Sequence, residues 1–408
     1  MTVETAVVRD PAHGYTGDPP EQSGTDLRIG LLPFDGERLQ IVVSGQNTWL
    51  RAELETPTTE LWQLGARLRG LWSDLFVHHQ SPDGEYGAQV GGHPLADTAD
   101  LSEFATVTDE LVARLARQGY GLLATVLDGE QPRMRTLRGF LLDALTGTQP
   151  LRLSFDSSVQ LPWPMLAIDP ALCASPWEAF LGYRHQVEQN AQHSWDHAPL
   201  AVRDRATTSL NKDEALDGVG RAPDVHQLLK DQSRLIVRTR GGELLDALAA
   251  RVLAEDLMYF WCHGHFADNG SSGTCLSVRL TDEEHVDGPA VALQRRGIPR
   301  TSQARFKPFV LLNACHTGRA NAPGALKHLG QELIDMGAVG VLAPQIDVPQ
   351  LFAAEYAYGF LESYLAGDRT AGEISQSLVR DFAEKYHNPL ALTYGLNCGI
   401  DSRLDLAS

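Results

Sequence analysis

Positive charge is scarce in this chain of 408 residues. Lys and Arg number 34 against 52 Asp and Glu, a formal net charge of −18. A surface of that sign repels phosphate backbones, which argues against nucleic acid as the main partner. Cysteine is sparse too. Cys173, Cys262, Cys275, Cys315 and Cys398 are odd in number and lack framework spacing. That excludes a disulfide scaffold and leads us to expect a reduced, cytoplasmic protein. No apolar run approaches the ~18–20 residues of a membrane span. The N-terminus has no basic region followed by an apolar one, so no secretion signal is read there. Residues 1–25, rich in Pro, Gly, Asp and Glu, read as a disordered tail. Internal repeats and long low-complexity segments are missing as well.

What remains is a chain with 43% hydrophobic residues, long enough for one large or two moderate domains. LRIGLLPF (27–34) and RLQIVVSG (38–45) predict two strands around an Asp35-Gly36 turn. Leu61, Leu64, Leu68, Leu71 and Leu75 recur at spacings of three and four and predict a helix. Further helices are expected over about 101–117 and 133–145. These make an N-terminal subdomain of residues 26–148, a strand pair plus helices. A strand at 151–158 then leads into LPWPML (161–166), whose prolines impose an extended loop. Residues 186–232 are polar and weakly patterned and read as an insertion or linker with one strand at 199–209. Beyond Ser233 the pattern sharpens. Apolar strands at 233–239, 257–262, 309–314 and 339–346 alternate with helices, the last two at 350–366 and 371–386. Nearly continuous apolar strands are buried on both faces. With intervening helices they predict an α/β fold, a mostly parallel sheet flanked by helices on both faces, over 149–408.

Two of those strands end on reactive side chains. FWCHGHF (260–266) carries His263-Gly264, and FVLLNACHTG (309–318) carries Cys315. Parallel sheets present working residues at the carboxyl ends of their strands. A thiol attacks as thiolate, and an imidazole can take its proton. Acyl transfer also needs backbone N–H donors for the oxyanion, and a glycine lets the chain approach the carbonyl closely. His263 can thus act as base, Cys315 as nucleophile, and the N–H groups of Gly264 and Cys315 as oxyanion donors.

This pairing resembles the CHAT peptidases, caspase-like cysteine peptidases of the clan that holds caspases, separase and gingipain. An apolar strand ending in His-Gly, then one ending in a small residue and Cys with Thr-Gly behind it, is the family's pattern. LPWPML and the stretch from MGAVGVLAPQID to SLVRDF are similar to further family segments. The resemblance is good over about 225–408, looser over 150–190 and weak before that. It implies a caspase-like fold, a His263/Cys315 dyad, no cofactor, and a protein substrate. Many such proteins look like effectors of bacterial defence that cut a gasdermin-like pore former or another neighbouring-gene protein, some under an activating partner. Two departures stand out: Pro344-Gln345 replaces a Trp usual before the Asp-bearing loop, and 186–232 has no clear counterpart.

Rival readings use the same residues. A silent CHAT-like scaffold would not require both His263 and Cys315. A zinc set of Cys262, His263, His265, Cys315 and His316 fits no usual ligand spacing, and strand alternation turns Cys262 away from His263. Asp156 and Asp347 each follow a strand on the expected active edge. Either is a candidate for a pocket that takes a basic side chain, or a plain strand-end cap. The basic stretch 294–307 is a solvated loop or a place of self-cleavage.

Overall fold

The computed structural model describes residues 24–36, 38–45, 47–80, 92–157, 159–189, 204–268, 274–282, 284–298, 306–314 and 329–406, leaving aside the side chains of 265–268 and 274–276. The chain begins with strands β1 (Leu27–Asp35), β2 (Arg38–Gly45) and β3 (Thr48–Glu53). Helices α1 (Thr58–Trp72), α2 (Ala105–Val126) and α3 (Pro132–Thr146) follow. Next come β4 (Arg152–Ser157), the short α4 (Leu181–Arg184), β5 (Gln186–Gln189), β6 (Thr207–Lys212), α5 (Ala222–Gln232), β7 (Arg234–Arg238) and α6 (Gly241–Ala249). Then β8 (Leu257–Trp261), β9 (His263–Asp268), β10 (Thr274–Arg279), β11 (His285–Asp287) and α7 (Gly288–Arg295) lead to β12 (Phe309–Asn313). The last elements are α8 (Leu329–Met336), β13 (Gly340–Pro344), α9 (Gln350–Ala366), α10 (Ala371–Tyr386) and β14 (Tyr394–Asn397).

Eleven strands share one sheet in the order β3-β2-β1-β4-β5-β14-β13-β12-β8-β6-β7. Seven of its ten pairings are parallel and three antiparallel. The expected α/β architecture is therefore present, and it is a caspase-like one: from β7 to β14 the strands run in chain order second, first, third, fourth, fifth, sixth, with only the sixth reversed.

That reversal divides the sheet into two blocks. β7, β6, β8, β12 and β13 point one way. β14, β5, β4 and β1 point the other. Each block has its own carboxyl edge, and the two edges lie on opposite sides of the sheet.

Alternation along each central strand feeds two cores. Leu257, Tyr259 and Trp261 of β8, with Phe309 and Leu311 of β12, face a core shared with α1, α2, α3, α5, α9 and α10. Met258, Phe260, Leu312 and Ala314 face a second core, closed by Leu244 and Leu248 of α6, Val291 of α7, and Leu329 and Leu333 of α8. At the β1–β3 end of the sheet Phe34 and Trp49 stand exposed.

The segment 186–232, expected as an insertion or linker, instead supplies β5, β6 and α5. β6 reads TTSLNK and is buried throughout. Buried polar groups are tolerated only when bonded, and here they are. The Thr207 N–H donates to Asp256 Oδ2 at 2.8 Å. Thr208 Oγ1 meets Ser233 Oγ, and Asn211 Nδ2 donates to Ser209 Oγ at 3.2 Å.

Candidate active site

β8 and β12 are neighbours in parallel register, with Trp261 opposite Asn313. His263 and Cys315 each come two residues after that pair. At Cys262 the chain leaves the large sheet, and His263 opens β9 in a separate three-stranded sheet of order β11-β10-β9. His263 is thus the second residue beyond the end of β8, its side chain 39% exposed. Gly264 follows in β9, opposite Val278. Cys315 and His316 lie outside the described residues, as does the Gly318 turn.

A residue the sequence reading passed over completes the described part of the site. Asp213 follows β6, the strand on the other side of β8, and its Oδ2 is 3.9 Å from His263 Nε2. That is charge-pairing range rather than a hydrogen bond. The carboxylate is fixed from several sides. The Asp213 N–H donates to Trp261 O at 2.9 Å, and Asp213 Oδ1 accepts the Ala215 N–H at 3.0 Å. The Trp261 indole N–H donates to Leu216 O at 3.1 Å. Next door, the buried Lys212 ammonium sits 2.6 Å from both oxygens of Asp217. The turn after β6 is therefore rigid, and one carboxylate oxygen is left aimed at the imidazole. The pair is partly exposed and contributes under about 1 kcal/mol of stability; its effect is on which way the ring faces. Asp213 escaped notice because β6 has no apolar run: the strand expected at 199–209 stops short of the true end at Lys212.

The other expected residues fall out differently. Cys262 is 3% exposed and packs in the second core with Met258 and Phe260, on the face away from Trp261. Among the described residues no group of three or more His, Cys, Asp or Glu side chains is gathered to hold a metal. The His265 backbone pairs with Ser277 in β9–β10, and its side chain is outside the description. Asp347 follows β13, the strand beside β12, and is half-buried on the same edge as His263. Asp156 is not on that edge, and the expectation is corrected. It pairs with Gly30 in β1, four strands from β12, near the carboxyl end of a strand that runs opposite to β8. Of the basic stretch 294–307, residues 299–305 lie outside the described residues; Arg295 donates to Leu248 O at 2.9 Å.

No helix among the described residues is long and apolar enough to cross a membrane. No family model matches the chain, and no curated protein matches it. Two crystal structures of the Saccharomyces cerevisiae separase–securin complex are similar in architecture. One is 12% identical with a TM-score of 0.47, the other 11% identical with a TM-score of 0.43. Each covers 91% of this chain, and this chain spans about 30% of the length of separase in each.

Proposed function

We propose that the chain is a CHAT-type cysteine endopeptidase that cuts a specific protein partner, with Cys315 as nucleophile and His263 as base. The observation that carries this is the register of Trp261 against Asn313: the two reactive residues follow it at equal distance, at the carboxyl ends of adjacent parallel strands. Asp213 supports the reading: its carboxylate faces His263 Nε2 at 3.9 Å, and Nδ1 is the nitrogen assigned to the thiol proton. The oxyanion is met by the N–H groups of Gly264 and Cys315. Asp347, on the same edge, lies where a carboxylate can take an Arg or Lys side chain before the cleaved bond. The partner class, a gasdermin-like pore former or another neighbouring-gene protein in bacterial defence, follows from the motif resemblance, and an activating partner and a cytoplasmic setting go with it.

The test incubates proteins encoded beside this chain with wild type, Cys315→Ala and His263→Ala. Wild type yields one new product band, and either substitution lowers its rate by several orders of magnitude. A folded Cys315→Ala protein that cuts at near wild-type rate sinks the assignment. Asp213→Asn keeps the size and removes the charge facing His263, so cleavage falls about tenfold to a hundredfold, less than for a fully buried orienting carboxylate. Profiling on a peptide library reads the pocket. A wild-type preference for Arg or Lys that relaxes in Asp347→Asn supports it, and a preference for Leu, Met or Asp removes Asp347 from the account.

A further inference from the structure

Four of the five residues of β12 are large and apolar, Phe309 to Leu312, and the fifth is Asn313, 4% exposed. A buried amide costs a few kcal/mol unless it is bonded. The bonds here reach two other elements. Asn313 Nδ2 donates to the carbonyl of Ala353, in the first turn of α9, at 2.7 Å. The Tyr394 hydroxyl, on β14, donates to Asn313 Oδ1 at 2.6 Å. The Asn313 backbone carbonyl also accepts the N–H of Cys262, the residue that follows β8 and precedes His263, at 3.4 Å. A leucine here would fill the space but fix no direction, because apolar contact is non-directional while hydrogen bonds are not. Fully bonded buried networks single out one arrangement.

We propose that Asn313 is a positioning residue for Cys315, two residues on in the sequence: it clamps the end of β12 against β8, β14 and the start of α9 at the point where His263 leaves the sheet. This rests on the peptidase reading above. Through Ala353 the clamp also ties the nucleophile's strand to the β13–α9 connection that carries Asp347, so the two sides of the expected cleft keep a common frame.

The experiment measures the second-order rate of iodoacetamide labelling at Cys315, located by peptide mass, across about pH 5–10, with a melting curve for each protein. In wild type Cys315 labels fastest of the five cysteines, and His263→Ala slows it. Asn313→Asp keeps the size but turns an oxygen toward the Ala353 carbonyl. Labelling at neutral pH then falls about tenfold or more, and its midpoint rises toward the ~8.5 of an ordinary thiol. Tyr394→Phe removes one hydroxyl and keeps the ring stacked on Tyr356 at 3.8 Å; it moves both quantities the same way, by less. In the Asn313→Asp/His263→Ala double variant the losses are less than additive, as for residues acting on one geometry. If both single variants fold and keep the wild-type rate and midpoint, the clamp is overturned while the peptidase reading stands. If wild-type Cys315 labels no faster than the other cysteines and ignores His263, both fall. Should Asn313→Asp fail to fold, Tyr394→Phe decides by the same two readouts.

Discussion

His185 is 1% exposed and holds its ring neutral. The Leu151 N–H donates to Nδ1 at 3.1 Å, and Nε2 carries the proton donated to Leu145 O at 3.1 Å. A second proton would take away the acceptor that Leu151 uses. Burial, the larger cause, and then the nearby Arg184 and Arg380 lower its pKa from 6.5 to about 4, against the raising effect of the Leu145 bond. The unfolded chain therefore binds the extra proton first as pH falls. Stability contributed by the neutral ring is whole above about 6.5 and is lost progressively toward pH 4, by roughly 3 kcal/mol. Glu188 works in the opposite sense, because burial raises its pKa and protonation then favours the fold. Only the difference between wild type and His185→Gln is diagnostic. Urea midpoints of the two proteins should converge as pH falls from 7 to 4; a gap that stays constant rules out this role for the ring.

At the scale of elements, α2 shows how tightly a helix is seated. A Cβ on Gly119 would lie 2.5 Å from the Met165 carbonyl oxygen and 3.2 Å from the Ala167 N, both backbone atoms of the stretch that opens with LPWPML. That stretch is itself held where Trp163 stacks on Phe155 at 3.9 Å. In an isolated helix Gly→Ala stabilises by about 1 kcal/mol. Here the clash must move backbone, and Gly119→Ala should destabilise by about 1–3 kcal/mol net, read from thermal or urea unfolding. A stabilised variant would mean that α2 can lift off this loop. Legibility followed the same division between local and tertiary cause. α3, α9 and α10 fall almost residue for residue where they were expected, and α1 covers the Leu pattern as far as Leu71, ending at Trp72 before Leu75. β8, β12 and β13 were readable because burial on both faces leaves an unbroken apolar run. β6 was not: its strand character comes from partners such as Asp256 and Ser233, far away in sequence, and the expected strand at 199–209 overlaps it only at Thr207–Ser209. His263 and Gly264 were legible as the end of an apolar run, whereas Asp213 stayed hidden with the polar strand that carries it. Asp156 was misplaced because strand direction is a long-range property, and nothing in LRLSFD records which way its neighbours run.

For the whole molecule, the division expected at residue 148 meets a sheet and a core that cross it. β1 pairs with β4 over five residues. Trp72 from α1 packs edge-on against Phe180 at 5.6 Å, and both belong to the core that includes α9 and α10. Removing residues 1–148 would strip β4 of its pairing with β1 and uncover that core. The expected result is a full chain that melts in one transition, coincident by calorimetry, circular dichroism and tryptophan fluorescence, and a 149–408 fragment that is aggregated or lacks cooperative unfolding. Two separated transitions, or a soluble and cooperative fragment, would show that the N-terminal part folds on its own account.

The sheet has two carboxyl edges because its strand direction reverses between β13 and β14. His263, Asp213 and Asp347 belong to one, and Asp156 to the other. A small molecule held at the Asp156 edge would leave the His263 edge open to substrate. On the peptidase reading, any inhibition it caused would be noncompetitive, a lower maximal rate with no rise in KM. A screen that reads only displacement of a substrate-like probe would pass over it.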